Sequence, residues 1–234
     1  MTFAFAVQLT AVATGLVFLQ QSLEHLRPAA RPAERRLFAA RLILSLAMVA
    51  AGIVAPAWLP GVTLALIANH LLILPFFNGP YNGGADRMSL LVLLCLAGAA
   101  TLPDPQWRML AFGYLAMQLL LSYFMAGWVK IVNPDWRSGR ALRDVFLFST
   151  YPAGENLRRW ANRPRTLLVA GWAVMLFELA FPIALLSRPA LIAALVISAT
   201  FHLANACLFG LNRFFWIWLC AYPSILWLHD RAVG

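Results

Sequence analysis

Apolar residues in this chain come in runs of about twenty, without the regular return of polar positions that marks a helix with one wet face. At about 1.5 Å per residue, such a run covers the hydrocarbon core of a bilayer. The pattern predicts an all-α, polytopic membrane bundle with spans at about 3–24, 39–55, 61–77, 88–102, 107–130, 166–186, 190–209 and 213–229. Segments such as LLVLLCLAGAATL are apolar on every side, which a soluble helix is not. Short connections rich in Pro, Gly and Asn separate the spans: APAWLPG, FFNGPYNGGADR, PDPQ and Ser187-Arg188-Pro189. The one long connection, about 131–164, carries LRDVFLFSTY, which is too short to span and is expected to lie at the interface or dip back into the bundle. With no internal repeat and no low-complexity tract, residues 1–234 read as one domain.

Charge then sets the orientation. The chain has 18 Lys and Arg against 9 Asp and Glu. In a soluble protein that balance would suggest nucleic acid. Here the arginines flank apolar runs, where the positive-inside rule and anionic lipid headgroups account for them, so nucleic acid is excluded as a partner. The loops after the first, third, fifth and seventh spans hold nearly all the basic residues, among them Arg27, Arg31, Arg35, Arg36 and Arg41 in the first, leaving Arg108, Arg188 and Arg231 on the other face. Both termini are therefore expected outside and the 131–164 loop in the cytoplasm. No positive charge precedes the first apolar run, so it is expected to remain as a span rather than be removed as a signal peptide. Cys95, Cys207 and Cys220 lie within apolar runs and read as small buried hydrophobes.

A few polar residues inside the apolar pattern are the candidates for chemistry. Lys130 is the only lysine, and an ammonium can lose its proton when desolvated whereas a guanidinium effectively cannot. Two readings fit it: a base, or a side chain that snorkels to the headgroups. Glu178 is the one acidic residue in the middle of a span, either a proton acceptor and partner of a buried cation or a protonated carboxyl bonded to a neighbouring helix. His202 and Asn205 share a helix face, as packing glue or as a positioned imidazole, and Asn69-His70 repeats the theme more weakly. Counting rise along each helix puts His202 in the same half of the bilayer as Lys130 and Glu178 deeper. That count predicts a cluster of Lys130, Asp135, His202 and Asp86; one including Glu178 would need a re-entrant loop. The NGPYNGGADR segment lacks the strand and the Lys-Ser/Thr ending of a phosphate loop and reads as a turn supplying amides and Asp86. His70, His202 and Glu178 are metal-ligand types without metal-ligand spacing, so no metal site is assigned.

Three segments together resemble the HTTM domain, the multi-span unit shared by vitamin K-dependent γ-carboxylase and many bacterial proteins. YFMAGWVKIVNPDWRSGRAL is similar to the family's Tyr/Phe-x-x-Ala-Gly-x-x-Lys segment with a following Asp-Trp. LFELAFPI with FHLANACLFGLNRFF is similar to its late helices, and YNGGADRMSLL to its polar turn. The resemblance, over roughly 65–225, implies a bacterial plasma-membrane protein and a quinol-dependent, carboxylase-like enzyme, a lyase or an oxidoreductase, acting with a quinol or vitamin K-like lipid on a peptide or small-molecule substrate. By resemblance Lys130 is the general base and His202 the group that positions or polarises the quinol oxygen. Tyr123, Asp135, Trp136, Asp86, Glu178 and Asn205 would line the substrate side. The sequence departs from the carboxylase in stopping soon after the eighth span, so the large luminal domain is expected to be missing, and in carrying one extra residue between Lys130 and Asp135-Trp136. The competing expectation is a non-catalytic assembly partner or small-molecule permease with the same bundle.

Overall fold

The computed structural model describes residues 1–26, 31–77, 83–148 and 158–234, and all regular structure within them is helical. The helices are α1 (Phe3–His25), α2 (Pro32–Ile53), α3 (Leu59–Phe77), α4 (Gly83–Thr101), α5 (Pro105–Val132), α6 (Pro134–Arg137), α7 (Arg140–Phe148), α8 (Pro164–Ala180), α9 (Arg188–Phe209) and α10 (Asn212–Ala232). Short 3₁₀ turns lie at Pro56–Trp58, Arg159–Asn162 and Phe181–Leu186. Among the described residues, seven helices are long and apolar enough to cross a membrane, those on α1 to α5, α8 and α9. This is an integral membrane protein. The expected eighth span is α10, 21 residues long, which is not among the seven: Asn212 and Arg213 at its start and His229, Asp230 and Arg231 at its end, with Trp216, Trp218, Tyr222, Pro223 and Trp227 between, lower its hydropathy.

Proline punctuates the chain. Pro32, Pro105, Pro134, Pro164 and Pro189 each stand in the first turn of a helix, where the missing N–H has no partner to lose. Thr2 caps α1 by accepting a hydrogen bond from the Phe5 amide at 3.3 Å.

The chain forms two compact units. The first contains residues 1–117 and 213–232, that is α1 to α4, the beginning of α5 and nearly all of α10. Its tightest pair is the α1–α2 hairpin, closed by glycine on both helices. A Cβ on Gly15 would stand 2.9 Å from the Ser45 carbonyl oxygen, and one on Gly52 3.1 Å from that of Gln8. Small hydroxyl residues fill the same core and bond back along their own helices: Thr14 to the Thr10 carbonyl at 2.7 Å, Ser45 to that of Arg41 at 2.6 Å, Thr63 to that of Leu59 at 2.6 Å. The second unit runs from Gln118 to Asn212. In it α7 lies against the 159–162 turn and α8, and its Phe146 meets Phe209 of α9 edge-on, ring centres 5.2 Å apart.

Two helix starts differ from the hydropathy pattern. α2 begins at Pro32 rather than near 39, and α4 at Gly83 rather than near 88. In both, the first turns carry charges that a bilayer excludes and a helix tolerates. Residues 78–82 of the polar turn before α4 lie outside the described residues.

Candidate functional site: a lysine–glutamate pair and its neighbours

Lys130 sits in the last turn of α5, and helical side chains lean back toward the N-terminus of their own helix. Its stem therefore lies over Gly127, and its Nζ donates to both carboxylate oxygens of Glu178, each at 2.6 Å. The Glu178 side chain is 3% exposed and that of Lys130 19%. The ammonium also stands 5.4 Å from the centre of the Trp136 ring.

The sequence explains why the carboxylate is there. Pro182, four residues on, has no N–H to give to the Glu178 carbonyl, and its ring opposes the α-helical path. α8 accordingly ends at Ala180 and tightens into the 3₁₀ turn Phe181–Leu186. On the other side, Gly127 lets α5 close on α8. A Cβ at Gly127 would fall 2.8 Å from the Leu179 amide nitrogen and 3.0 Å from the Glu178 Cβ. Gly127→Ala should therefore push the helices apart just where the pair forms, losing about 1–3 kcal/mol of stability. Thermal unfolding in detergent checks this against Gly61→Ala, where nothing lies within 4 Å and no loss is expected.

The rise count misplaces Glu178. It is the partner of Lys130, because the lysine stem reaches back into the bundle and Gly127 removes the gap. His202 is not the contact of Lys130. Its Nε2 lies 2.8 Å from the Tyr123 hydroxyl, which also contacts the Ser198 hydroxyl. Tyr123, Ser198 and His202 are all buried, and Phe181 stacks on the tyrosine with ring centres 4.0 Å apart. Tyr123, Gly127 and Lys130 fall at i, i+4 and i+7 on one face of α5, so two polar sites share that face about two turns apart.

The remaining expected residues divide. Trp136 joins the pair through its ring. Asp135 faces outward at 52% exposure, 3.6 Å from Arg140, with no part in the lysine's contacts. Asn205 is half-buried and makes no side-chain hydrogen bond among the described residues. Asp86 belongs to the first unit, where it pairs with Arg213.

The first unit holds a polar centre that the hydropathy pattern misses. Arg41, expected in the loop after the first span, lies within α2 with no exposed surface. Its guanidinium donates to Gln21 Oε1 at 2.8 Å and Asn69 Oδ1 at 3.0 Å and meets His70 Nδ1 at 2.8 Å. Phe18 and Phe38 present their ring faces to it at 4.6 and 5.7 Å. His70 Nε2 lies 3.1 Å from the Asp86 carbonyl oxygen. Since an arginine only donates and a carbonyl only accepts, His70 carries its proton on Nε2. The available signal was Arg41 inside RLILSLAMV, hidden by the four arginines before it. No group of three or more His, Cys, Asp or Glu side chains placed to hold a metal occurs among the described residues.

The HTTM domain family matches residues 97–229, more than half of the chain, and the matched stretch contains Tyr123, Lys130, Glu178, Ser198 and His202. No curated protein and no solved structure matches it. With a membrane bundle, a match through all the later helices and the sole lysine on the expected helix, the chain belongs to the HTTM-domain family.

Proposed function

We propose that the protein is a membrane enzyme whose Lys130–Glu178 pair takes a proton from a hydroxylated, lipid-soluble ring, a quinol or vitamin K-like lipid that reaches it from the bilayer. One observation carries this reading: the chain's only lysine bonds both oxygens of a carboxylate that is 3% exposed. In water the pair is an ammonium and a carboxylate. As a ring displaces water, passing the lysine's proton to Glu178 leaves an amine and a carboxylic acid, two neutral groups with less need of solvation. The amine can then accept the ring hydroxyl's proton, and the resulting ammonium faces the negative oxygen. Trp136 offers an aromatic face beside the ammonium, and the Tyr123–His202–Ser198 group offers hydroxyl and imidazole partners for a second ring oxygen. A bound quinol would supply an acidic hydroxyl and, with dioxygen as the acceptor, two electrons; carboxylation of a peptide or small-molecule substrate is the continuation that the family resemblance suggests.

The second reading is a non-catalytic bundle in which the same pair only fastens α5 to α8. Its support is the close packing at Gly127. Lys130→Arg separates the two. Guanidinium keeps the charge and can bond both carboxylate oxygens, but it does not become a neutral base. The enzyme reading expects folding to survive while dioxygen-dependent hydroquinone consumption by the purified protein in nanodiscs falls by about 10²–10⁴. Unchanged consumption in the arginine variant would sink it.

A further inference from the structure

The connection between α5 and α8 emerges from one membrane-crossing helix and enters another, so both of its ends are fixed at the same bilayer surface. Its described parts form one platform, because α7 packs on both the 159–162 turn and α8. Over 137–148 and 158–165 that platform carries Arg137, Arg140, Arg143, Arg158, Arg159, Arg163 and Arg165 against Asp144 alone. The charge is not evenly spent. Arg140 lies 3.6 Å from Asp135 and 3.7 Å from Asp144, so it is largely answered by the chain itself. All seven arginines are exposed, and Arg143 on α7 stands with Arg159 and Arg163 about the 159–162 turn on the parts that pack together.

Apolar groups stand among these arginines rather than apart from them. The apolar side of α7 is partly used up by Phe146 on Phe209, but Phe148 remains 73% exposed and Val145 38%. Trp160 is 41% exposed, with the Arg163 guanidinium 5.3 Å from its ring centre. Basic groups set among exposed aromatic side chains, on a connection whose two ends meet the bilayer surface, match the boundary between headgroups and acyl chains. Both ends of the connection lie at a bilayer surface, where lipid phosphates are the anions at hand.

We infer that Arg143, Arg159 and Arg163, with Trp160 and Phe148, form a binding surface for the phosphates of anionic phospholipids. This goes further than a charge rule for topology, which would treat every arginine on that side alike. The selectivity belongs to the platform.

The full chain, reconstituted in phosphatidylcholine nanodiscs containing a minor fraction of spin-labelled phosphatidylglycerol or spin-labelled phosphatidylcholine, provides the test. Phosphatidylglycerol should be held preferentially, with the preference shrinking as salt rises. R143Q/R159Q/R163Q should lose about tenfold or more of that preference, given the pull of each basic side chain near an anionic surface. R143K/R159K/R163K, which keeps the charge, should retain most of it, and R35Q/R36Q, two exposed arginines of the first unit, should change it little. Equal loss from R35Q/R36Q would overturn the inference in favour of general charge. Displacement of the lipid by soluble glycerophosphoglycerol would overturn the commitment to a membrane-borne ligand. If the glutamine variant does not fold, a lysine variant with no phosphatidylglycerol preference overturns the inference alone.

Discussion

Lys130→Met and Glu178→Gln should each destabilise the protein by about 3 kcal/mol, the lower end of what breaking a buried ion pair costs, because the lysine side chain keeps 19% exposure. Lys130→Met leaves a carboxylate 3% exposed without the ammonium that bonds both its oxygens. Glu178→Gln leaves an ammonium with one amide oxygen in place of two charged ones. The double variant K130M/E178L removes both demands and puts methylenes in their place. It should recover most of the loss, so the two changes together cost well under the sum of the single ones. A coupling of about 2 kcal/mol or more, read from the unfolding midpoints of the four proteins in one detergent, is expected. Additive losses would mean that the 2.6 Å contacts contribute little. The cycle also bears on mechanism. A stable but inactive K130M/E178L protein would leave the bundle intact and remove only proton transfer.

The helices were legible because bilayer thickness imposes one length on every span, and that length shows as an uninterrupted run. The helix ends were less so. α2 continues through Glu34, Arg35 and Arg36 back to Pro32, and α4 takes in Asp86 and Arg87, since a helix can leave the hydrocarbon layer while hydropathy reports only the part within it. The residues of the site were largely legible one by one. Lys130 stood out by its chemistry, Glu178 and His202 by the expense of placing them in a span. Their pairing was not, for a reason of geometry. Rise per residue measures the depth of a Cα, whereas a lysine stem reaches a full turn back, and Gly127 brings Glu178 within that reach. Asp135 illustrates the opposite error: the rise count put it in the lysine's cluster, but α6 turns its side chain outward, 52% exposed.

Arg41 is where the sequence was least readable and where substitution should be most damaging. Arg41→Ala is expected to lower stability by about 3–5 kcal/mol, for three separable reasons. The guanidinium is the common donor to Gln21 on α1 and Asn69 on α3 and bonds His70 Nδ1, so its loss strips an acceptor on each neighbouring helix of its partner at once. The space it vacates lies under Phe18 and Phe38, both essentially unexposed, and a cavity there cannot collapse without moving α1. The His70 tautomer is fixed partly by Arg41, and without it the ring is free to turn from the Asp86 carbonyl, loosening the end of α4 that also holds the Asp86–Arg213 pair. Arg41→Lys tests the weight of the fork geometry. One ammonium keeps the charge but does not reach three acceptors on two helices, so roughly half the loss should remain. The check is unfolding of the three proteins by tryptophan fluorescence, with amide hydrogen exchange followed in α1 and α3. Exchange should quicken there in both variants. Wild-type stability and exchange in Arg41→Ala would mean that the buried guanidinium contributes nothing to holding α1, α2 and α3 together.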